Sequence, residues 1–500
     1  MEIKKMICAG AILLSFMACS QDDVMTDPQG GNASGEGAYM SLAISMPNGT
    51  PGTRAIDEGT DKEEGTIAEQ TISKLLVLVY KSDAQATDAP EVAKEFLGTQ
   101  LTPTKPNDPA NSDKTTVYEV PAFEVSKGEK KVVVIANPSS SFSGTSTLQS
   151  MRTAITMTEE DVNNISSSYS EGGATGFLMT NANFDVNQNQ SGAVITITPT
   201  ENGKFYDDGS VYVKVEGTKT NPTSVRIAVE RVVAKILDET SDYTKTVTGT
   251  SDKVVFQTVA LINGNKQFFP IKNIRQSSES TTGTNDYVVD PNFDNNEKTM
   301  TFADHFYAYD WSTPGFESRF KTLSTTDTER PVFYTLENTM IQNQQMNAYT
   351  TGLYYQATYY KDGETSGEAP NLYKYAGVLY TFSELQTAAS SLSLNLGSLT
   401  DESAAAEFKK ILVTKYENGV CYYPYWIRHV DNGDPTSMGI MEFAVVRNNV
   451  YKMTINSVKG IGTPDPKDPD PDTPDEMTDA MLQVQVKVLP WTIRNNQIDF

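Results

Sequence analysis

At its two ends this chain carries apolar residues at every second position, and that spacing suits only one regular backbone. In Leu482-Gln-Val-Gln-Val-Lys-Val-Leu489, residues Leu482, Val484, Val486 and Val488 fall on one side, and Gln483, Gln485 and Lys487 on the other. Tyr39–Met46 repeats the pattern, with Met40, Leu42, Ile44 and Met46 opposed to Ser41, Ala43 and Ser45. Strand side chains alternate between faces, whereas a helix would scatter these residues around its circumference. Ile72–Tyr80 is apolar at nearly every position, as expected of a strand covered on both faces. Further strands are expected at Lys131–Ala136, Ala193–Thr198, Val211–Val215, Val254–Ile262, Val332–Leu336, Gly352–Tyr360 and Val420–Arg428. Met441–Ser457 reads as two strands about Asn448-Asn449, and the β-branched run Val225–Leu237 as one long strand. Short helices are expected only at Thr158–Ile165 and Asp401–Leu412, each opened by a capping residue. The chain is therefore all-β.

Its 500 residues suit two large β-domains. Polar, turn-rich sequence after Asp238 separates residues 55–240 from 241–462, and the Ser/Thr/Asn-rich stretch 276–330 reads as a surface insertion. Residues 463–476 alternate Pro with Asp, which forbids a sheet and favours an extended polyproline spacer. At about 3.1 Å per residue such a spacer reaches about 40 Å, so residues 477–500 form a strand on a stiff tether. That arrangement suits donation of the strand to another molecule.

The N-terminus carries an address. Lys4 and Lys5 precede the apolar run Ile7–Met17, which is too short to span a bilayer. Met17-Ala18-Cys19 has the form of a bacterial lipobox, with cleavage between Ala18 and Cys19 and acyl chains on the Cys19 thiol. Residues 1–18 are then a signal peptide, and a flexible tether runs on to Gly37. Arg54 is the only Lys or Arg between Lys5 and Lys62, in a Gly/Pro/Thr loop of the kind that proteases nick. Cleavage between Arg54 and Ala55 would release residues 19–54, first strand and lipid together.

Several function classes are disfavoured. The net charge of −24 repels nucleic acid and anionic headgroups. Two histidines, His305 and His429, exclude a His-rich metal site. Cys8 and Cys19 lie in the leader and Cys421 in an aromatic run, which reads as a buried, inert thiol rather than part of a disulfide framework. No phosphate loop, dinucleotide fingerprint, zinc-protease motif or nucleophile elbow is present. The Asp-Pro run lacks the Gly turn and terminal Glu of a calcium loop. Trp311, Trp426 and Trp491 read as packing residues. No catalytic residue, metal or cofactor is expected.

Five stretches together resemble the Mfa-type short-fimbria shaft subunits, the fimbrillins of the Bacteroidales type V pilus. They are Met17-Ala18-Cys19; Tyr39–Pro47 ahead of Arg54-Ala55; Val229-Glu-Arg-Val-Val-Ala-Lys235; Val445–Lys459; and the Pro/Asp run leading to Val488-Leu-Pro-Trp491 and Ile498-Asp-Phe500. Residues 276–420 show no such match. The resemblance implies an exported lipoprotein of two transthyretin-like β-sandwich domains with no enzymatic activity. It implies that an arginine-specific surface protease removes the first strand and that the emptied groove accepts the C-terminal strand of the next subunit. The implied partners are further copies joined head to tail, accessory anchor and tip pilins, a host or bacterial surface receptor, and the outer membrane before processing. The implied place is a cell-surface fimbrium that supports adhesion and biofilm formation. The stripe Leu482, Val484, Val486, Val488 matches Met40, Leu42, Ile44, Met46 in number and spacing, so one strand could replace the other. The alternative is a surface glycan-binding outer-membrane lipoprotein with exposed Tyr354, Tyr355, Tyr359 and Tyr360. It would need neither a tethered strand nor Arg54.

Overall fold

The computed structural model describes residues 37–46, 63–104, 117–163, 176–182, 200–276, 286–292, 302–308, 310–311, 316–365, 367–434, 436–439, 441–477 and 481–492. Strands dominate. The first part comprises β1 (Gly37–Ser45), β2 (Glu63–Glu64), helix α1 (Ile67–Gln70), β3 (Lys74–Lys81), β4 (Val92–Leu97), β5 (Val117–Ser126), β6 (Gly128–Ala136), β7 (Met179–Asn181), β8 (Val211–Val215) and β9 (Thr223–Arg231). All but β2 and α1 belong to one hydrogen-bonded path, β4-β3-β6-β7-β9-β1-β5, with β8 added on β6. The path folds over a single core in which Met40, Leu42 and Ile44 of β1 join Leu76 and Leu78 of β3 and Val132 and Val134 of β6. That is a β-sandwich, with β1 an interior strand rather than an edge.

The second part comprises β10 (Val233–Asp238), β11 (Lys253–Ile262), β12 (Val332–Leu336), β13 (Gly352–Tyr360), β14 (Leu372–Tyr375), β15 (Val378–Thr381), β16 (Thr414–Tyr416), β17 (Val420–Trp426), β18 (Asn449–Val458) and β19 (Leu482–Thr492). One sheet runs β2-β19-β18-β10-β12 and the other carries β11-β13-β17. Ile236, Met453 and Val488 of the first sheet share a core with Phe256, Tyr355 and Cys421 of the second. Strands β14 to β16 form a small separate sheet. With helices Phe382–Ala388 and Ala405–Lys409 it makes its own core of Tyr373, Leu385, Phe408 and Val413.

Several expectations need correction. The run Val225–Leu237 is two strands, because the chain turns at Val232, whose N–H donates to Leu178 O at 3.1 Å. β9 belongs to the first sandwich and β10 to the second, so the crossover lies ahead of residue 240. The helix expected at Asp401–Leu412 spans only Ala405–Lys409. Asp401 does not cap it; its carboxylate accepts from the Tyr373 hydroxyl at 2.6 Å. The described part of 276–330 does not all lie at the surface, since Val288, Phe306, Tyr307, Trp311 and Phe316 are buried. The strand expected at Ala193–Thr198 lies outside the described residues.

The Pro/Asp run is not a free spacer either. Thr463 exchanges backbone hydrogen bonds with Tyr422, Lys467 N–H donates to the Tyr354 hydroxyl at 3.2 Å, and Trp311 N–H donates to the Asp468 carboxylate at 2.7 Å. Asp475 is buried and accepts from the Thr350 hydroxyl. Proline denies the segment a ladder of its own, so its hydrogen bonds go to side chains and to neighbouring backbone. Beyond it β19 lies antiparallel on β18, from Val458↔Leu482 to Asn449↔Pro490. The last strand therefore completes its own sandwich instead of standing about 40 Å away as a polyproline spacer would allow.

Candidate functional site

The first strand sits in a slot. β1 pairs antiparallel with β5 and parallel with β9, the latter from Met40↔Thr223 to Ser45↔Ala228. Met40, Leu42 and Ile44 are fully buried and Met46 is 3% exposed. A strand paired on both sides, with four apolar side chains in the core, leaves a long apolar groove and two open ladders when removed. Chain connectivity allows the removal, since β1 is joined to the rest only through residues 46–62, among them Arg54 and Ala55. Those two, like Ala18 and Cys19, lie outside the described residues.

The last strand is held less completely. Leu482 and Val488 are 6% and 4% exposed, but Val484 and Val486 are only half-buried against the second core. One edge of β19 pairs with β18 along its length. On its other edge, among the described residues, only the two-residue β2 pairs, parallel, at Glu63↔Trp491 and Glu64↔Thr492. Lys452 of β18 binds Glu63 at 2.8 Å and Glu239 at 2.7 Å. Burial works against the Lys452 ammonium, yet the two carboxylates hold its pKa above the usual lysine value.

Around the turn from β9 to β10 lies a set of buried charges that the sequence reading passed over. Lys235 binds Glu69 of α1 at 3.0 Å, and the Tyr334 hydroxyl donates to the same carboxylate at 2.6 Å. Burial raises the Glu69 pKa, but Lys235 and Tyr334 more than offset it, and the group stays below the ordinary glutamate value. Arg231 is 1% exposed. Lys272 binds Glu230 at 2.9 Å, and Arg447 binds Glu337 through Nε at 2.7 Å. Burial pushes the Glu337 pKa up despite that partner. The signal was available: Glu230, Arg231 and Lys235 are charges inside a run otherwise fit for burial, and such charges need partners.

Elsewhere the chemistry is quiet. The Cys421 thiol is buried and its pKa pushed up to about 12, so it is no thiolate nucleophile. His429 is buried with Nδ1 2.7 Å from the Tyr451 hydroxyl. Burial holds the His305 pKa down. Among the described residues, no group of three or more His, Cys, Asp or Glu could hold a metal ion. Tyr354, Tyr355 and Tyr359 are buried and Tyr360 half-buried, because β13 is central between β11 and β17. The exposed aromatic platform that the glycan-binding alternative requires is therefore not formed by these residues.

The chain is thus all-β, with β1 interior to the first sandwich and β19 lying between β18 and the two-residue β2 in the second. A family model described as Major fimbrial subunit protein (FimA) matches residues 38–231. A second, Major fimbrial subunit protein type IV, Fimbrillin, C-terminal, matches residues 414–497, and together the two take in more than half of the chain. The chain belongs to the major fimbrial subunit proteins, the fimbrillins, and it is a subunit of a cell-surface fimbrium. No curated protein is matched by the sequence. Among solved structures, a fimbrilin (FimA) of Porphyromonas gingivalis is similar at 15% identity, covering 92% of this chain and 99% of that one, with a TM-score of 0.42. A cell adhesion protein of Parabacteroides distasonis is similar at 18% identity, over 91% and 99%, with a TM-score of 0.42. The tip fimbrial protein Mfa3 of Porphyromonas gingivalis, truncated at its C-terminus, is similar at 12% identity, over 91% and 100%, with a TM-score of 0.39.

Proposed function

We propose that the chain is a shaft subunit that polymerises by protease-triggered strand exchange. Residues 1–18 direct export and are cut off between Ala18 and Cys19. Acyl chains on Cys19 then hold residues 19–54 to the outer membrane. An arginine-specific surface protease cuts between Arg54 and Ala55, β1 leaves with its anchor, and the last strand of another copy enters between β5 and β9. Repetition joins copies head to tail into a fimbrium that meets accessory anchor and tip pilins and carries adhesion and biofilm formation. The receptor is a host or bacterial surface.

The unequal burial of the two apolar stripes carries this reading. In the β1 slot all four positions are buried, the most exposed of them at 3%, whereas on β18 the stripe of β19 buries only Leu482 and Val488 fully. Moving Val484 and Val486 to full burial gains at most about 1 kcal/mol each. The slot also offers ladders on both edges, where β19 now has one and a two-residue bridge. Exchange therefore runs downhill once β1 is gone.

The test is negative-stain microscopy after arginine-specific proteolysis. The wild type should form filaments. Arg54→Ala should stay monomeric and folded, and a chain lacking residues 482–500 should stay monomeric, with a less stable second sandwich because Leu482 and Val488 leave its core. Filaments from either variant would sink the mechanism.

A further inference from the structure

The motif Val229-Glu-Arg-Val-Val-Ala-Lys235 runs from the end of β9 into β10, where the chain passes from one sandwich to the other. Its Arg231 touches three separate elements. Nη2 stands 3.9 Å from the Met46 sulfur, at the exit of β1. Nε donates to Glu69 O at 2.9 Å, on α1, a few residues beyond β2. Nη1 donates to Asn448 Oδ1 at 3.1 Å, in the turn that opens β18. That turn is itself pinned to the start of β10, Asn448 N–H donating to Val233 O at 2.8 Å. The strands β2 and β18 are the two neighbours of β19. One guanidinium thus contacts the residue that follows β1, the helix that follows β2 and the turn that opens β18, the last two leading into the strands that flank β19.

Resting on the strand-exchange reading, we propose that Arg231 couples the occupancy of the β1 slot to the retention of the C-terminal strand. With Met46 in place the guanidinium is sealed from water, and among its bonds are those to Glu69 O and Asn448 Oδ1. Burial pulls its pKa down to about 10, a sign of how much hydration the charge has given up. Loss of β1 opens one side of the group to the emptied groove. Water then competes for its five donors, and the bonds that brace α1 and the β18 turn weaken. β2 and β18 loosen together, and β19 peels more readily. The coupling is reciprocal, as any linkage between two equilibria must be. An uncut subunit keeps its last strand at home, so it cannot enter a fibre that it is unable to extend.

Hydrogen exchange read by mass spectrometry tests this on monomers, at concentrations too low for assembly. The segment 482–492 is compared in the uncut chain and in the chain cut after Arg54 and separated from its N-terminal fragment. Exchange there should be about tenfold faster after removal, with β3 and β6 unchanged. Uncut Met46→Ala should be about threefold faster. Uncut Arg231→Met should exchange as fast as the cut wild type, and cutting it should add nothing further. Equal protection before and after removal overturns the proposal. So does an Arg231→Met chain in which cutting still gives the full wild-type acceleration. If Arg231→Met does not fold, Met46→Ala decides alone, and wild-type protection in it is a negative result. Failure of the strand-exchange reading shows separately, as filaments from a chain without residues 482–500.

Discussion

Lys487 of β19 stands directly across the ladder from Lys452 of β18. Like charges at opposed positions of an antiparallel pair are destabilising. Lys452 is offset by Glu63 and Glu239, at 2.8 and 2.7 Å. Lys487 has a partner of its own as well, so the opposition is compensated on both strands. Lys487→Glu should therefore shift docking by no more than about 0.5 kcal/mol. The expected result is a monomer melting temperature and filament growth close to those of the wild type. Loss of filaments in the variant would place Lys487 on the inward face.

Val486→Asp separates the two sites of β19. Val486 is half-buried on β18, so the monomer should lose about 1 kcal/mol or less. In the slot, the position it would take is fully buried, and an unpaired carboxylate there is strongly unfavourable. Assembly should stop while chemical denaturation of the monomer changes little. If Val486→Asp assembles and Lys487→Glu does not, the inward face has been assigned one residue out of register.

The buried Asp475 anchors the proline-rich run, and burial raises its pKa well above the ordinary aspartate value. A carboxyl group with a raised folded-state pKa contributes stability that is fully present below the unfolded value. That contribution is lost as the pH rises toward the folded value. The wild type should therefore be held more firmly at about pH 4 than at about pH 7 by this group. Asp475→Asn keeps the hydrogen-bonding shape without the titration. It should melt higher than wild type near neutral pH, and the gap should close on acidification. A gap that widens in acid would reverse the assignment.

Cys19→Ala should abolish acylation and leave the precursor unanchored. Metabolic labelling with a fatty-acid analogue checks it, and label retained on the variant would show that the lipid sits elsewhere.

Strands with an unbroken two-residue period were legible from the order of residues alone, β1, β8 and β19 among them. β5 was not. Its buried residues Val117, Val120, Phe123 and Val125 are spaced three, three and two apart, because Pro121 and a bulge opposite Met40/Leu42 break the alternation. The sheet of β14 to β16 escaped because its strands are three or four residues long, too short to show a period. The Pro/Asp run was legible as backbone but not as contact. Proline spacing forecasts extension, whereas nothing in it says that Trp311 and Tyr354 offer partners to Asp468 and Lys467. In the candidate site the two apolar stripes were readable. Their unequal burial was not, since it depends on how many neighbours each strand finds.

The turn at Val232 has a mechanical meaning. β9 flanks the β1 slot and β10 pairs with β18, which in turn pairs with β19, so in a fibre built by strand exchange tension enters and leaves through strands of one continuous backbone. Hydrogen bonds of paired strands run across the strand axes, so a pull along those axes loads many of them at once, in shear, instead of unzipping them singly. The weak place in such a chain would be the bend between the sandwiches, and there the Glu230–Lys272 and Glu337–Arg447 pairs lie buried. A thread made of such units should part at its joints only under loads that also begin to unravel its beads.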